Sequence, residues 1–338
     1  LIGNIAIGHE AMNSTGSNAQ TGTTAIGASA LTALTSGSGN VAVGYQSGLT
    51  MTSGLNNTVL GWGALNNATS GVDDNVAIGY CAMSGAIVAE AVEDCVAIGS
   101  NALSGALDSS TGANEASGTV AIGKSALASL TDGDGNVAIG FEALNAATDT
   151  SKMTAVGYKA FNLAAPTGGG ADGDGVAIGY LAGSEATTVD GATYVGGRCG
   201  STLTGGYNTA VGSRTLYDTD AGSSSKASAG NTVLGYFAMG GTWTDVSIDN
   251  CVAIGRNALD GALAHANVSG TVAVGRDALG ALTSGSGNTA IGYQAGLLNT
   301  TGASNTYIGY AVADATHTDS TGNVAIGKNT FGGSHTGS

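Results

Sequence analysis

Proline is almost missing from this chain: Pro166 is the only one among 338 residues. Collagen needs abundant proline and glycine at every third position, so the 59 glycines here must serve another purpose. Charged residues make up 10% and aromatic residues 5% of the chain. A disordered chain would also be poor in aliphatic side chains, whereas this one is 42% hydrophobic and is expected to fold. Lysine and arginine number nine against 24 acidic residues, a net charge of −15. Nucleic acid binding calls for a basic surface that releases counterions, and that class is set aside. The four cysteines, Cys81, Cys95, Cys199 and Cys251, lie far apart and show neither zinc-ligand spacing nor a disulfide framework. No apolar run reaches the ~18 residues of a membrane-spanning helix. The opening Leu1-Ile2-Gly3-Asn4 has no initiator methionine or leader-like pattern, and the chain is expected to be a segment of a longer protein.

What is present is repetition. A phrase of the form Asn-(Val/Thr)-Ala-(Ile/Val)-Gly returns 18 times, ending for example at Gly8, Gly44, Gly140 and Gly327. The commonest interval is 17 residues, and insertions lengthen some copies to as many as 24. The residue before the glycine is Ile, Val or Leu in all 18 copies, and the one before that is Ala in 14. Four places before the glycine, ten copies carry Asn. The phrase is β-branched, short and bounded by glycine, so it reads as a strand. An element such as Lys124-Ser125-Ala126-Leu127 follows, and a polar turn such as Thr35-Ser36-Gly37-Ser38-Gly39 leads to the next copy.

These features predict an all-β fold, a parallel β-solenoid of about 18 short coils formed by a single repeat array over residues 1–338. At ~4.8 Å per coil the array would extend about 85 Å. The invariant aliphatic position, represented by Ile7, Val43, Ile78, Ile98, Ile139, Ile254, Ile291 and Ile326, is expected to line the lumen. Asn40, Asn75, Asn136, Asn288 and Asn323 are expected to form a second ladder, bonding from coil to coil. The small residue on the opposite strand face, as at Ala77 and Ala138, is expected to meet partner chains, because both strand faces are apolar.

The phrase resembles the head repeat of YadA-like trimeric autotransporter adhesins. It is more similar to the roughly 17-residue repeats of phage tail-fibre proteins, with Gly287-Asn288-Thr289-Ala290-Ile291-Gly292-Tyr293-Gln294-Ala295-Gly296 as the best example. The resemblance covers nearly the whole chain. It implies a left-handed, trimeric β-roll, a location outside the cell or on a virion, and a role in attachment to a host-surface glycan or protein. The autotransporter heads use a shorter coil, and a phage fibre and a bacterial adhesin both stay open.

No string in the sequence requires catalysis or a cofactor. Gly37-Ser38-Gly39-Asn40-Val41-Ala42 mimics a dinucleotide fingerprint but opens a strand, where that fingerprint must open a helix. Asp132-Gly133-Asp134-Gly135 and Asp172-Gly173-Asp174-Gly175 offer carboxylates to calcium, yet solvated turns explain them. His9, His265, His317 and His335 stand in unrelated contexts. Asp73-Asp74 and Glu93-Asp94 read as acidic turns and not as a glycosidase pair. Directly after the glycine an aromatic stands in nine of 18 copies, a column suited to stacking. The insertions Ser104 to Ser117, Asn162 to Gly173 and Tyr217 to Ala229 should emerge as loops, with Tyr217 and Trp243 as candidate receptor contacts. The expectation is therefore a structural fibre shaft or head with no enzymatic activity, no cofactor, no metal and no membrane insertion. A bacterial surface adhesin or a glycan-binding solenoid is the alternative, and a polysaccharide-cleaving fibre enzyme is a third reading.

Overall fold

A computed structural model describes residues 3–14, 20–87, 92–107, 116–164, 174–203, 205–217, 228–244, 247–261, 263–264, 268–314, 317–318, 321–332 and 335–336. The fold is all-β, with parallel strands stacked as a β-solenoid, and there is no helix among the described residues. The chain falls into two compact units, Leu1–Asp174 and Gly175–Ser338. In the first, nine strands stack in sequence order: Ile5–Ile7, Thr24–Ile26, Val41–Val43, Thr58–Leu60, Val76–Ile78, Val96–Ile98, Val120–Ile122, Val137–Ile139 and Thr154–Val156. In the second, nine more run from Val176–Ile178 to Val324–Ile326. Each contains three residues, and each pairs in parallel with the next copy of the same phrase, so that Ala77 faces Ala97 and Ile78 faces Ile98. Eight steps of ~4.8 Å make each unit about 38 Å tall.

The corner after each strand explains the invariant glycine. Gly140 has φ +139°, and a Cβ there would lie 2.3 Å from the carbonyl oxygen of Gly157 in the next coil. Neither the dihedral nor the space admits a side chain. Beyond the corner, two residues of most coils adopt left-handed conformations without being glycine, as Ser125 (φ 56°) and Leu127 (φ 48°) do. This tight turn folds the following Ala-Leu pair back under the strand. Ala126 and Leu127 are fully buried there, as are Ala30 and Leu31, Ala64 and Leu65, and Ala143 and Leu144.

That geometry reverses the two strand faces expected from the sequence. Ala77 and Ala138, expected against partner chains, have no exposed surface and line the lumen of their own coil. Ile7, Ile139, Ile291 and Ile326, expected inside, point outward with 59%, 36%, 41% and 63% exposure. Val43, Ile78, Ile98 and Ile254 stand half-buried on the same outer face. The cause is the thinness of the coil. Leu127 and its equivalents, with Leu34, Met51, Leu130 and Leu282 from the return segment, already fill the section, leaving room beneath the strand for a methyl group.

The exceptions obey the same volume constraint. Tyr194 and Tyr307 replace the small lumen residue and are fully buried. Where they sit, the usual leucine is absent: a Cβ at Gly200 would lie 2.6 Å from the Tyr194 ring, and one at Gly296 would lie 2.7 Å from the Tyr307 ring. A large side chain in one wall is matched by a glycine in the other.

The buried asparagines bond along the stack. Asn57 donates from its backbone N–H and its Nδ2, each at 3.0 Å, to Oδ1 of Asn40, and from Nδ2 at 2.7 Å to the carbonyl of Val72. Its own Oδ1 accepts from the N–H and Nδ2 of Asn75 at 3.1 and 3.2 Å. Asn288, Asn305 and Asn323 repeat the arrangement, and Asn136 accepts from the N–H of Met153 at 3.1 Å. Cys95 and Cys251 occupy the same column, with the N–H of each bonded at 2.9 Å to the preceding Asn Oδ1. Asn57→Ala leaves two buried donors of Asn75 and the Val72 carbonyl without these bonds. It should cost about 3 kcal/mol, measurable as a shift in the urea midpoint. A shift too small to resolve would mean the ladder contributes nothing to stability.

Candidate functional site

The outer surface of the coils carries three features built by the repeat. The first is the aliphatic stripe of the strands. Alternation turns residues one and three of each strand outward, so Val41 and Val324 (39% and 72% exposed) extend the face formed by the isoleucines. Parallel sheets are ordinarily covered on both faces.

The second feature is the aromatic column directly beyond the glycine corner. Tyr45 stacks on Trp62 with ring centroids 5.8 Å apart, and Trp62 on Tyr80 at 5.0 Å. Phe141 and Tyr158 stack at 5.2 Å in the first unit, and Tyr293 and Tyr310 at 5.1 Å in the second. These distances follow from the coil spacing, since identical positions in successive coils lie one step apart. Six of the nine lysines and arginines lie over these rings, from Lys328 at 5.5 Å from the Tyr310 centroid to Lys159 at 6.0 Å from Phe141. Lys159 also pairs with Glu142 at 3.0 Å, and Arg276 with Asp277 at 3.1 Å. The association of cations with rings was not read from the sequence, although both fall at fixed places after the repeat glycine.

The third feature is a polar edge formed by the turns. Asp73 accepts from the N–H of Leu55 at 2.7 Å, so this carboxylate ties one turn to the next. Among the described residues no three His, Cys, Asp or Glu side chains come together as a metal site. His9 is exposed beside Glu10, and His317 and His335 are register partners in the paired two-residue strands His317–Thr318 and His335–Thr336. Burial pushes the thiols of Cys95 and Cys251 up to about 11 and that of Cys199 up to about 12, so at neutral pH all three stay protonated and poorly nucleophilic.

Asp260 departs from ordinary carboxylates. Burial, opposed by a bond from its own backbone and reinforced by Asp277, raises it to about 6. An unfolded aspartate titrates near ~4. The folded state therefore favours the protonated form, and the stability this gives is complete below ~4 and is lost as pH rises through about 6. Asp260→Asn should raise the melting temperature at pH 8 and leave it unchanged at pH 4. Equal shifts at both values would show that the carboxyl is not perturbed.

Of the residues singled out as receptor contacts, Tyr217 is half-buried beside a cavity in the second unit. Trp243 lies in a two-residue strand, Trp243–Thr244, paired with Leu263–Ala264. Most of the three insertions, 108–115, 165–173 and 218–227, lies outside the described residues. No helix among the described residues is long and apolar enough to cross a membrane. Comparison of this chain with protein-family models, with curated proteins and with solved structures yields no match.

Proposed function

We propose that this chain is a structural segment of a homotrimeric fibre, of the kind found in phage tails, that holds or forms a host-attachment surface outside the cell and carries no catalytic activity. The observation that supports this reading is the aliphatic stripe along the outer face of each unit. Aliphatic side chains, most of them β-branched, repeat at every coil on this face, from half-buried at Ile78 to 63% exposed at Ile326, and form a continuous apolar surface of a kind monomeric proteins avoid. Covering each of these side chains contributes on the order of 1 kcal/mol, and a stack of nine strands multiplies that gain. The stripe is unbroken within each unit because the register never shifts, so an identical rod could pack against it coil by coil. The resemblance to fibre and adhesin repeats supports three such rods and a location on a virion or cell surface.

The test is the mass of the assembled particle in light scattering, expected at three times the 32.4 kDa of the chain. Ile122→Glu with Ile139→Glu should yield monomers that keep the β circular dichroism signal, because both side chains already leave the coil. A monodisperse monomer for the unsubstituted chain would reject the proposal.

A further inference from the structure

The aromatic column of the second unit is interrupted. After Tyr180 the next two coils present Gly197 and Ser213 at the corresponding place, and rings resume at Tyr236. Three coil steps, about 14 Å, separate the two tyrosines. The backbone does not demand the gap. A Cβ on Gly197 would meet nothing nearer than 4.0 Å, whereas one on the neighbouring corner glycine, Gly196, would lie 2.3 Å from the Gly212 carbonyl oxygen. Gly196 is needed by the fold and Gly197 is not.

The same coils border a half-open cavity of about 180 Å³. Leu181, Ser184 and Glu185 come from one coil, Arg198 and Ser201 from the next, and Tyr217 from the third. Ser184 and Ser201 are 8% and 4% exposed, and the Glu185 N–H donates to the Ser201 carbonyl at 2.7 Å, which fixes the two turns against each other. The Arg198 guanidinium lies 5.9 Å from the Tyr180 centroid and has no carboxylate partner among the described residues. At ~30 Å³ per water the space equals about six waters. Sites for drug-sized ligands begin near ~300 Å³, so a single small ring fits this volume and an oligosaccharide does not.

We propose that this cavity binds one pyranose unit bearing a carboxylate, a uronic-acid type of sugar presented by a surface glycan. Arg198, held against Tyr180, offers a planar fork for the carboxylate. Tyr217 and Leu181 supply apolar walls for the C–H face of the ring. The Ser184 and Ser201 hydroxyls exchange hydrogen bonds with the sugar hydroxyls. Glu185 accepts from a hydroxyl as well, and its charge disfavours a multiply charged anion such as phosphate. All of these residues belong to one unit of one chain, so the site does not depend on the fibre assembly proposed above.

The test is titration of the whole chain with methyl α-D-glucuronide, methyl α-D-glucoside and inorganic phosphate, followed by saturation-transfer NMR and calorimetry. The glucuronide should bind at least roughly tenfold more tightly than the glucoside, and Arg198→Met should remove that advantage. Gly197→Tyr, whose Cβ would meet no atom nearer than 4.0 Å, should fill the gap and abolish binding with the melting temperature unchanged. If that variant melts early, Tyr217→Ala takes its place and should weaken both sugars alike. Equal affinity for the two glycosides, phosphate binding as tight as the glucuronide, or an Arg198→Met variant that binds like the parent would each overturn the proposal. Whichever result is obtained, the particle mass in light scattering reports independently on the fibre.

Discussion

Replacing Ala138 with glutamate is expected to prevent the first unit from folding, at a cost on the order of 5 kcal/mol. Ala138 has no exposed surface and sits between Ala121 and Ala155 of the adjacent coils, and no Lys or Arg is among the buried described residues to pair with a buried carboxylate. The longer side chain must also displace the buried leucines that fill the section. Circular dichroism during urea unfolding measures the effect. Ala77→Glu should behave in the same way, since Ala77 occupies the equivalent place between Val59 and Ala97. A variant that unfolds at nearly the parental urea concentration would mean the lumen can open to water beneath the strand. Both substitutions act inside the single chain, so loss of assembly would follow from loss of fold.

Two residues further along, Gly140→Ala should cost about 3 kcal/mol or more, although it adds only one methyl group. The carbonyl of Gly157 stands 2.3 Å from the position of the new Cβ, and φ is +139°. Because the same contact repeats from coil to coil, the strand cannot move away without disturbing the next corner. Gly118 provides the control. It has φ +65° and nothing within 4 Å of a Cβ, so Gly118→Ala should cost only about 1 kcal/mol. Urea midpoints of the two variants measured together decide between a steric corner and a merely flexible one; similar losses would refute the steric account.

The period of the chain was legible because every coil must place one strand, one corner and one return in the same register. The Asn column was legible for a related reason. A buried amide has four hydrogen-bonding positions to fill, and a neighbour of the same kind one coil away fills most of them. The direction of the strand faces was not legible from the strand alone. Three residues reading aliphatic, small, aliphatic do not say which side is inside, and the general preference of larger aliphatic side chains for burial points to the wrong face here. The clue lay several residues downstream. Gly200 stands where many coils carry leucine and shares its coil with Tyr194, and Gly296 lies against the ring of Tyr307 in the next coil, a match of large with small across a shared lumen. The cavity beside Arg198 was beyond reach from sequence, because Gly197 looks like any other residue in a glycine-rich chain until the space around it is known.

The regular coil also bears on how such a chain reaches its native state. Sheet proteins ordinarily fold slowly, because strands distant in sequence must find one another. Here each strand pairs with one commonly 17 residues away, as Val137–Ile139 does with Thr154–Val156. Relative to the length of the chain that separation is ~0.05, below the range of helical bundles. Every completed coil offers its open edge as a template for the next. Ordering can therefore begin at any well-formed pair and spread in both directions, at a rate set by closing one short loop at a time.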